Sequence, residues 1–269
     1  VAGFFRPRWG SSFAFGLPIA PGEAAHYDVA PLARTLEALV DFDYLSRSAV
    51  RLSVGAVDVQ SGQIRYFDSR EEPIGVQHIL ASSALPPAFA PVEIDGRHYW
   101  DGGIYSNTPL ERVLRDDPCK DILCFLATLW PVQDVLPESL RNVLRRRKEI
   151  QFASRADTVL ELEQEIYQLR RDVALLAARL PAGAIDDEDI RGSVARGCRR
   201  VCHLVRLQAP RLPGEDDLKD IDFAPTRVNA RWAAGCRDTA SAIAGQPWSA
   251  WPDHSQGLVL HEFSGAPME

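Results

Sequence analysis

The sequence predicts a mixed α/β fold. Three patterns point to it: short alternating segments joined by tight turns, apolar residues recurring at spacings of three and four, and one near-continuous apolar run, Asp121–Leu129, of the kind buried on both faces in a parallel sheet. At 269 residues the chain can bury a sizeable core in one or two domains. Its composition, 46% hydrophobic and 25% charged, is that of a globular protein. A net charge of −7 argues against a general nucleic-acid binder, which would carry an excess of Lys and Arg. No stretch approaches the ~18 apolar residues needed to cross a bilayer, and the N-terminus has no basic-then-apolar signal pattern.

Residues 1–31 are rich in Gly, Pro and aromatics without period and read as a long surface loop or lid. Pro31 opens a helix whose Leu32, Leu36 and Leu39 share a face. Leu52, Val54 and Ala56 alternate as a strand, Ser61-Gly62 turns, and Ile64–Phe67 returns. A short helix from Gly75 to Ser83 buries Val76, Ile79 and Leu80 until Pro86-Pro87 stops it. Phe89–Ile94 and Arg97–Trp100 flank Asp95-Gly96, a tight-hairpin signal. Thr108 reads as the cap of a helix with Pro109 first and Glu111 third. Beyond Pro137, Leu162, Ile166, Leu169, Val173, Leu176 and Leu180 form one apolar stripe, expected to pack on the α/β body as one arm of an antiparallel helical hairpin whose other arm is Glu138–Ala153. Val201–Leu207 reads as a strand and Thr226–Ala244 as a last helix. The tail after Gly245 shows no period and reads as partly disordered.

The five cysteines, Cys119, Cys124, Cys198, Cys202 and Cys236, contain no CxxC pair. The nearest approach to a metal pattern, Cys198-x-x-x-Cys202-His203, reads as reduced structural thiols. Free thiols suit a reducing compartment, so a cytoplasmic location is expected.

The segment that carries chemistry is Val76–Leu110. It brings a strand to Trp100 and follows it at once with Asp101-Gly102-Gly103, a carboxylate and then two residues free of side-chain hindrance. Such a turn lets a sheet orient a carboxylate while the backbone passes close to a neighbouring loop. Taken alone, Asp-Gly-Gly is also an ordinary turn. Its flanks are distinctive: Ala81-Ser82 with Ala84 and Pro86, Phe89 with Pro91, then the hairpin, Asp101-Gly102-Gly103, and Asn107 with Pro109.

In this order the block resembles the aspartate motif of the patatin-like phospholipases. The likeness extends to Pro31–Asp43, Arg51–Asp58, Lys148–Gln151 and Arg231–Gly235, which look like a bacterial subgroup with a helical extension after the core. The resemblance implies a three-layer α/β/α core, here incomplete, over residues 1–136, and a mainly helical region over 137–269 with no function it can name. It implies a lipid or other acyl-ester substrate, no cofactor and no metal, and it leaves room for peripheral membrane contact. Oligomeric state is open. Asp101 corresponds to the proton acceptor of a Ser–Asp dyad, in which the aspartate activates a serine hydroxyl directly, and Gly102 and Gly103 complete the motif.

The family's nucleophile lies upstream of that motif in a Gly-x-Ser-x-Gly elbow, and its oxyanion hole in a glycine run further upstream. Neither pattern occurs here. Ser12, in Gly10-Ser11-Ser12-Phe13-Ala14, comes nearest but lacks the second glycine and the preceding strand. Because the chain also starts at Val1 instead of Met, truncation is expected, with these 269 residues alone inactive; a non-catalytic protein on the same fold is the alternative. His78 and His98 read as packing or surface residues. Arg141, Arg145, Arg146, Arg147 and Lys148 read as a solvated helix face rather than a site for anionic headgroups. Phe4, Phe5, Trp9, Phe13 and Phe15 fit a lipid-facing lid and a cover for the core equally well.

Overall fold

The computed structural model describes residues 3–8, 16–115, 120–181, 183–184, 187–217, 219, 222–249 and 257–264. It divides into two compact units, Val1–Asn107 and Thr108–Glu269. Both mix helices and strands, as the sequence leads one to expect. Trp9, Ser12, Phe13, Phe15 and Cys119 lie outside the described residues.

The first unit opens with a two-stranded ribbon of β1 (Arg6–Pro7) and β2 (Tyr27–Asp28). Helix α1 (Ala30–Leu39) carries its proline in the first turn, where a missing N–H costs nothing. Leu32 and Leu36 are half-buried, while Leu39 is exposed. A second helix, α2 (Phe42–Arg47), was not anticipated; Asp41 caps it by accepting the Tyr44 N–H at 2.8 Å. The main sheet then forms from β3 (Ser53–Asp58), β4 (Ile64–Asp68), β5 (Val92–Ile94) and β6 (Arg97–Asp101), all antiparallel, in the order β4-β3-β6-β5. Both hairpins read from the sequence are present. Asp95 and Gly96 turn the second with positive φ, 53° and 74°, the geometry that Asp-Gly favours. Helix α3 (Val76–Ser82) packs on this sheet. The core gathers Ala56, Phe67, Ile74, Ala81, Ile94 and Tyr99, with the Phe67 and Tyr99 rings edge-to-face at 5.3 Å. Burying each large ring contributes roughly 2–3 kcal/mol.

The second unit is built on a parallel sheet of β7 (Ile122–Thr128), β8 (Cys202–Gln208) and β9 (Leu258–Ser264), with β8 central. Helix α4 (Leu110–Leu114) precedes it; α5 (Leu140–Ala177) and α6 (Glu188–Val194) lie between β7 and β8, and α7 (Pro225–Gly245) lies between β8 and β9. Strand β7, before residue 136, thus shares one sheet with two strands that follow it. The core joins Leu110, Leu114, Leu160, Tyr167, Cys202, Leu204 and Leu258.

Six expectations are corrected here. Strand β7 is not buried on both faces: Leu123 and Phe125 are exposed, because the continuously buried position in the described sheet belongs to β8. Thr108 does not cap α4 with its side chain; its carbonyl accepts the Leu110 N–H, and the helix begins after Pro109. The helical hairpin is one continuous 38-residue helix, α5. Between Ala153 and Leu162 there is no Gly or Pro to break it; Ser139 caps its start, accepting the Asn142 N–H at 3.2 Å, and Pro181 follows its end. The Leu162–Leu180 stripe does not pack inward: Leu162, Leu169 and Leu176 are exposed, and the buried face carries Arg145, Glu149, Ala153, Leu160, Glu163, Tyr167 and Arg171. The basic cluster is a solvated face only at Arg141 and Arg147, which are exposed; Arg145 is buried between Asp134 and Glu149 at 2.6 Å each, Arg146 donates to the carbonyls of Pro131 and Val132, and Lys148 donates to the Asp217 carbonyl. Finally, the tail contains β9, whose alternation was hidden by its short length.

Opening a buried ion pair leaves an uncompensated charge, at a cost of about 3–5 kcal/mol. Replacing Arg145 with Ala removes the buried guanidinium between Asp134 and Glu149, leaving them the longer contacts to Arg211 and Lys219 at 3.2 and 3.3 Å. It is expected to lower stability by about 3 kcal/mol, seen as a fall in the urea midpoint at unchanged slope.

Candidate functional site

Three aspartates end three strands of the first unit's sheet: Asp58 on β3, Asp68 on β4 and Asp101 on β6. Their surroundings differ. Asp58 accepts the N–H groups of Gln60 and Ser61 at 2.9 Å each and is bridged by Arg97. The Arg97 hydrogen bond, with those amides, holds its carboxyl well below the usual range. Asp68 is fully buried and gripped by the Arg51 guanidinium at 2.7 Å. Both are structural carboxylates, neutralised where they stand.

Asp101 has no such partner among the described residues. Its Oδ1 accepts one hydrogen bond, from the Gly103 N–H at 2.7 Å, and its Oδ2 accepts none. Burial pushes its pKa up, offset only in part by the Gly103 amide. A half-buried carboxylate with a raised pKa and a free oxygen is equipped to accept a proton.

Local sequence produces this arrangement. Residue Asp101 pairs with Ala56 across β6 and β3, and its N–H is held by the Ala84 carbonyl at 3.0 Å. The chain then turns into a short 3-10 segment, Gly102–Ile104, closed by bonds from the Tyr105 and Ser106 N–H groups to the Gly102 carbonyl. At Gly102 the turn passes directly against β3. A Cβ there would sit 2.6 Å from the Gly55 carbonyl carbon and against its oxygen, which no side chain tolerates. A Cβ on Gly103 would approach Asp101 Oδ1 at 3.1 Å.

The motif's flanks also have physical roles. Ala81 and Ala84 are buried where a larger side chain would not fit the core. Beyond Pro86-Pro87, the Pro87 and Ala88 carbonyls accept the His26 and Tyr27 N–H groups, and Phe89 packs with Phe5 and Tyr27. Phe5, one of the lid candidates, thus stacks on this segment while remaining 44% exposed. His78 is buried in α3, its Nδ1 accepting the Gly75 N–H and its ring against Phe67 at 4.7 Å. His98 lies 4.0 Å from Glu93 on the hairpin. The structure therefore brings Asp101, Gly102 and Gly103 into one turn, with Ala84 holding the Asp101 N–H, and adds Gly55. Ala84 stood in the quoted motif; nothing in the sequence marked Gly55.

Two thiols of the second unit, on buried Cys202 and half-buried Cys124, are shifted away from reactivity. Burial raises the Cys202 thiol to about 12, and Cys124 likewise moves up. No group of three His, Cys, Asp or Glu side chains among the described residues is placed to hold a metal ion, and no helix among them is long and apolar enough to cross a membrane.

Residues 4–114 match the family model described as patatin-like phospholipase, and residues 150–255 match a second, DUF3734, described as patatin phospholipase. No curated protein matches the chain.

Two substitutions separate steric from chemical roles in this turn. Gly102→Ala drives a methyl into the Gly55 backbone and is expected to cost about 2 kcal/mol or more, read as a lowered melting temperature. Asp101→Asn keeps the acceptor for the Gly103 amide and removes a charge that burial disfavours. A folded pKa above the unfolded value of about 3.9 means that ionised Asp101 opposes folding at neutral pH. The Asn variant should therefore melt no lower than the native protein at pH 7, and any advantage should vanish as the pH falls below about 4, where both folded and unfolded carboxylates are protonated.

Proposed function

We propose that this chain, which belongs to the patatin-like phospholipase family, supplies the aspartate of a Ser–Asp dyad that hydrolyses lipid acyl esters. The single observation supporting it is that, of three strand-end aspartates in one sheet, only Asp101 lacks a cationic partner and keeps an oxygen free. In the proposed reaction a serine Oγ attacks the ester carbonyl carbon as Asp101 accepts the hydroxyl proton. The carbonyl collapses to an acyl-serine and expels the alcohol, which takes the proton back from Asp101. Water, deprotonated in turn by Asp101, attacks the acyl-serine; the fatty acid leaves and the serine regains its proton. No histidine takes part, in keeping with the burial of His78 in packing.

The serine of this dyad is assigned to sequence outside these 269 residues, because no Gly-x-Ser-x-Gly occurs within them. The 269 residues alone are accordingly expected to be inactive. That same lack favours one second reading, a non-catalytic lipid-binding protein on the same fold.

A short-chain ester assay on the product of the complete coding sequence distinguishes them. Activity that falls about a thousandfold or more in Asp101→Asn, with folding intact, is the expected result. In the active protein kcat/KM should rise with pH through an apparent pKa above the usual aspartate value, since only the ionised carboxylate accepts a proton. Unchanged activity in the variant would remove Asp101 from the reaction; no activity in the complete protein would leave the binding reading.

A further inference from the structure

The second unit contains a cavity of about 350 Å³ that the proposed dyad does not use. It opens at the C-terminal ends of parallel strands β7 and β8, against α7, the position where open α/β sheets bind ligands. Its volume falls in the range of small-molecule sites. The wall is apolar: Ala127, Leu129, Leu207, Leu212, Phe223 and Ala234 line it.

Into this wall are set two polar groups with unmet hydrogen-bonding capacity. Thr128, the last residue of β7, is 6% exposed, yet its Oγ1 has no hydrogen-bond partner. Arg231 on α7 uses Nε for Glu215 at 3.1 Å and Nη1 for the Asp222 carbonyl at 3.0 Å, while its buried Nη2 has none. Orphaned buried donors oppose folding unless something accepts from them. The remaining cation, Lys219, is already engaged by the Leu129 carbonyl at 3.0 Å and by Glu149 at 3.3 Å, and it lies 4.7 Å over the Trp130 ring. Glu215 and Asp238 also line the cavity, so its charges balance. Net potential therefore does not select the ligand; the unpaired donors do.

We infer that this cavity binds a fatty carboxylate, its alkyl chain along the apolar wall and its carboxylate oxygens accepting from the Thr128 hydroxyl and the Arg231 guanidinium. A carboxylate offers the acceptors that a hydroxyl and a guanidinium N–H both lack, and a guanidinium bonds it more strongly than it bonds a neutral oxygen. The inference stands apart from the dyad, because none of these residues belongs to the turn that carries Asp101.

Isothermal titration of the purified protein with decanoate, kept below its micelle-forming concentration, tests it, with decanol as the neutral comparator. Saturable decanoate binding about tenfold tighter than decanol is expected. Thr128→Val should weaken decanoate by about tenfold and leave decanol unchanged, with no loss of melting temperature, since the hydroxyl removed is unpaired. Ala234→Leu, which fills the cavity, should abolish binding of both. The Asp101→Asn protein should bind decanoate as the native protein does, so loss of esterase activity and loss of this site remain separable. Absence of saturable binding, equal affinity for decanoate and decanol, or native affinity in Thr128→Val would each overturn the assignment.

Discussion

The close approach of Gly102 to the Gly55 backbone is the constraint on which the Asp101-Gly102-Gly103 turn depends. Strand β6 runs antiparallel to β3 as far as the Ala56–Asp101 pair, then bends sharply while still touching its neighbour. Only a residue without Cβ can pass there. Because the bend falls immediately after Asp101, the carboxylate is anchored by the sheet on one side and by the Gly103 amide on the other. Among the described residues the Asp101 side chain is held by backbone alone, which leaves its second oxygen uncommitted.

Charge placement separates Asp101 from the other two strand-end carboxylates of its sheet. Asp58 and Asp68 occupy equivalent strand-end positions but meet arginines, which pair with them and fasten the hairpins. Asp101 meets none, so burial acts on it unopposed by a cation and raises its proton affinity. The second unit applies the opposite logic. Its long helix α5 buries Arg145, Glu149 and Glu163, and ion pairs join Arg145 to Asp134 and Glu149, and Arg115 to Glu163. In β8, Arg206 is likewise buried against Asp157 at 2.8 Å. Such pairs contribute specificity of packing more than net stability. Buried atoms without a hydrogen-bond partner also occur on Arg145, Glu149, Glu163 and Arg206; those of Thr128 and Arg231 point to a ligand because these two residues line a cavity.

The elements set by near neighbours were legible in the chain. Asp95-Gly96 specified its hairpin, Pro31 the first turn of α1, and the alternation over Leu52–Phe67 its pair of strands, since turn geometry and strand pairing a few residues apart depend on local backbone preference. The Asp-Gly-Gly turn belongs with them. Helix α5 was misread because its two periodic segments looked like two arms, although nothing between them could break a helix. Its inward face is not the apolar stripe for a related reason: charges buried on the other face find partners outside the helix, Asp134 for Arg145 and the sequence-distant Arg115 for Glu163.

By itself, then, the sequence determined the hairpins, the glycine-bounded carboxylate and, through the order of its flanking motif, the family. Tertiary structure alone decided that β8 and not β7 is the buried central strand, that β9 completes the sheet, that Gly55 forces glycine at position 102, and that Asp101 has no arginine beside it. Each of these depends on which distant segment lies within a few ångströms, and spacing along a chain carries no record of proximity through space.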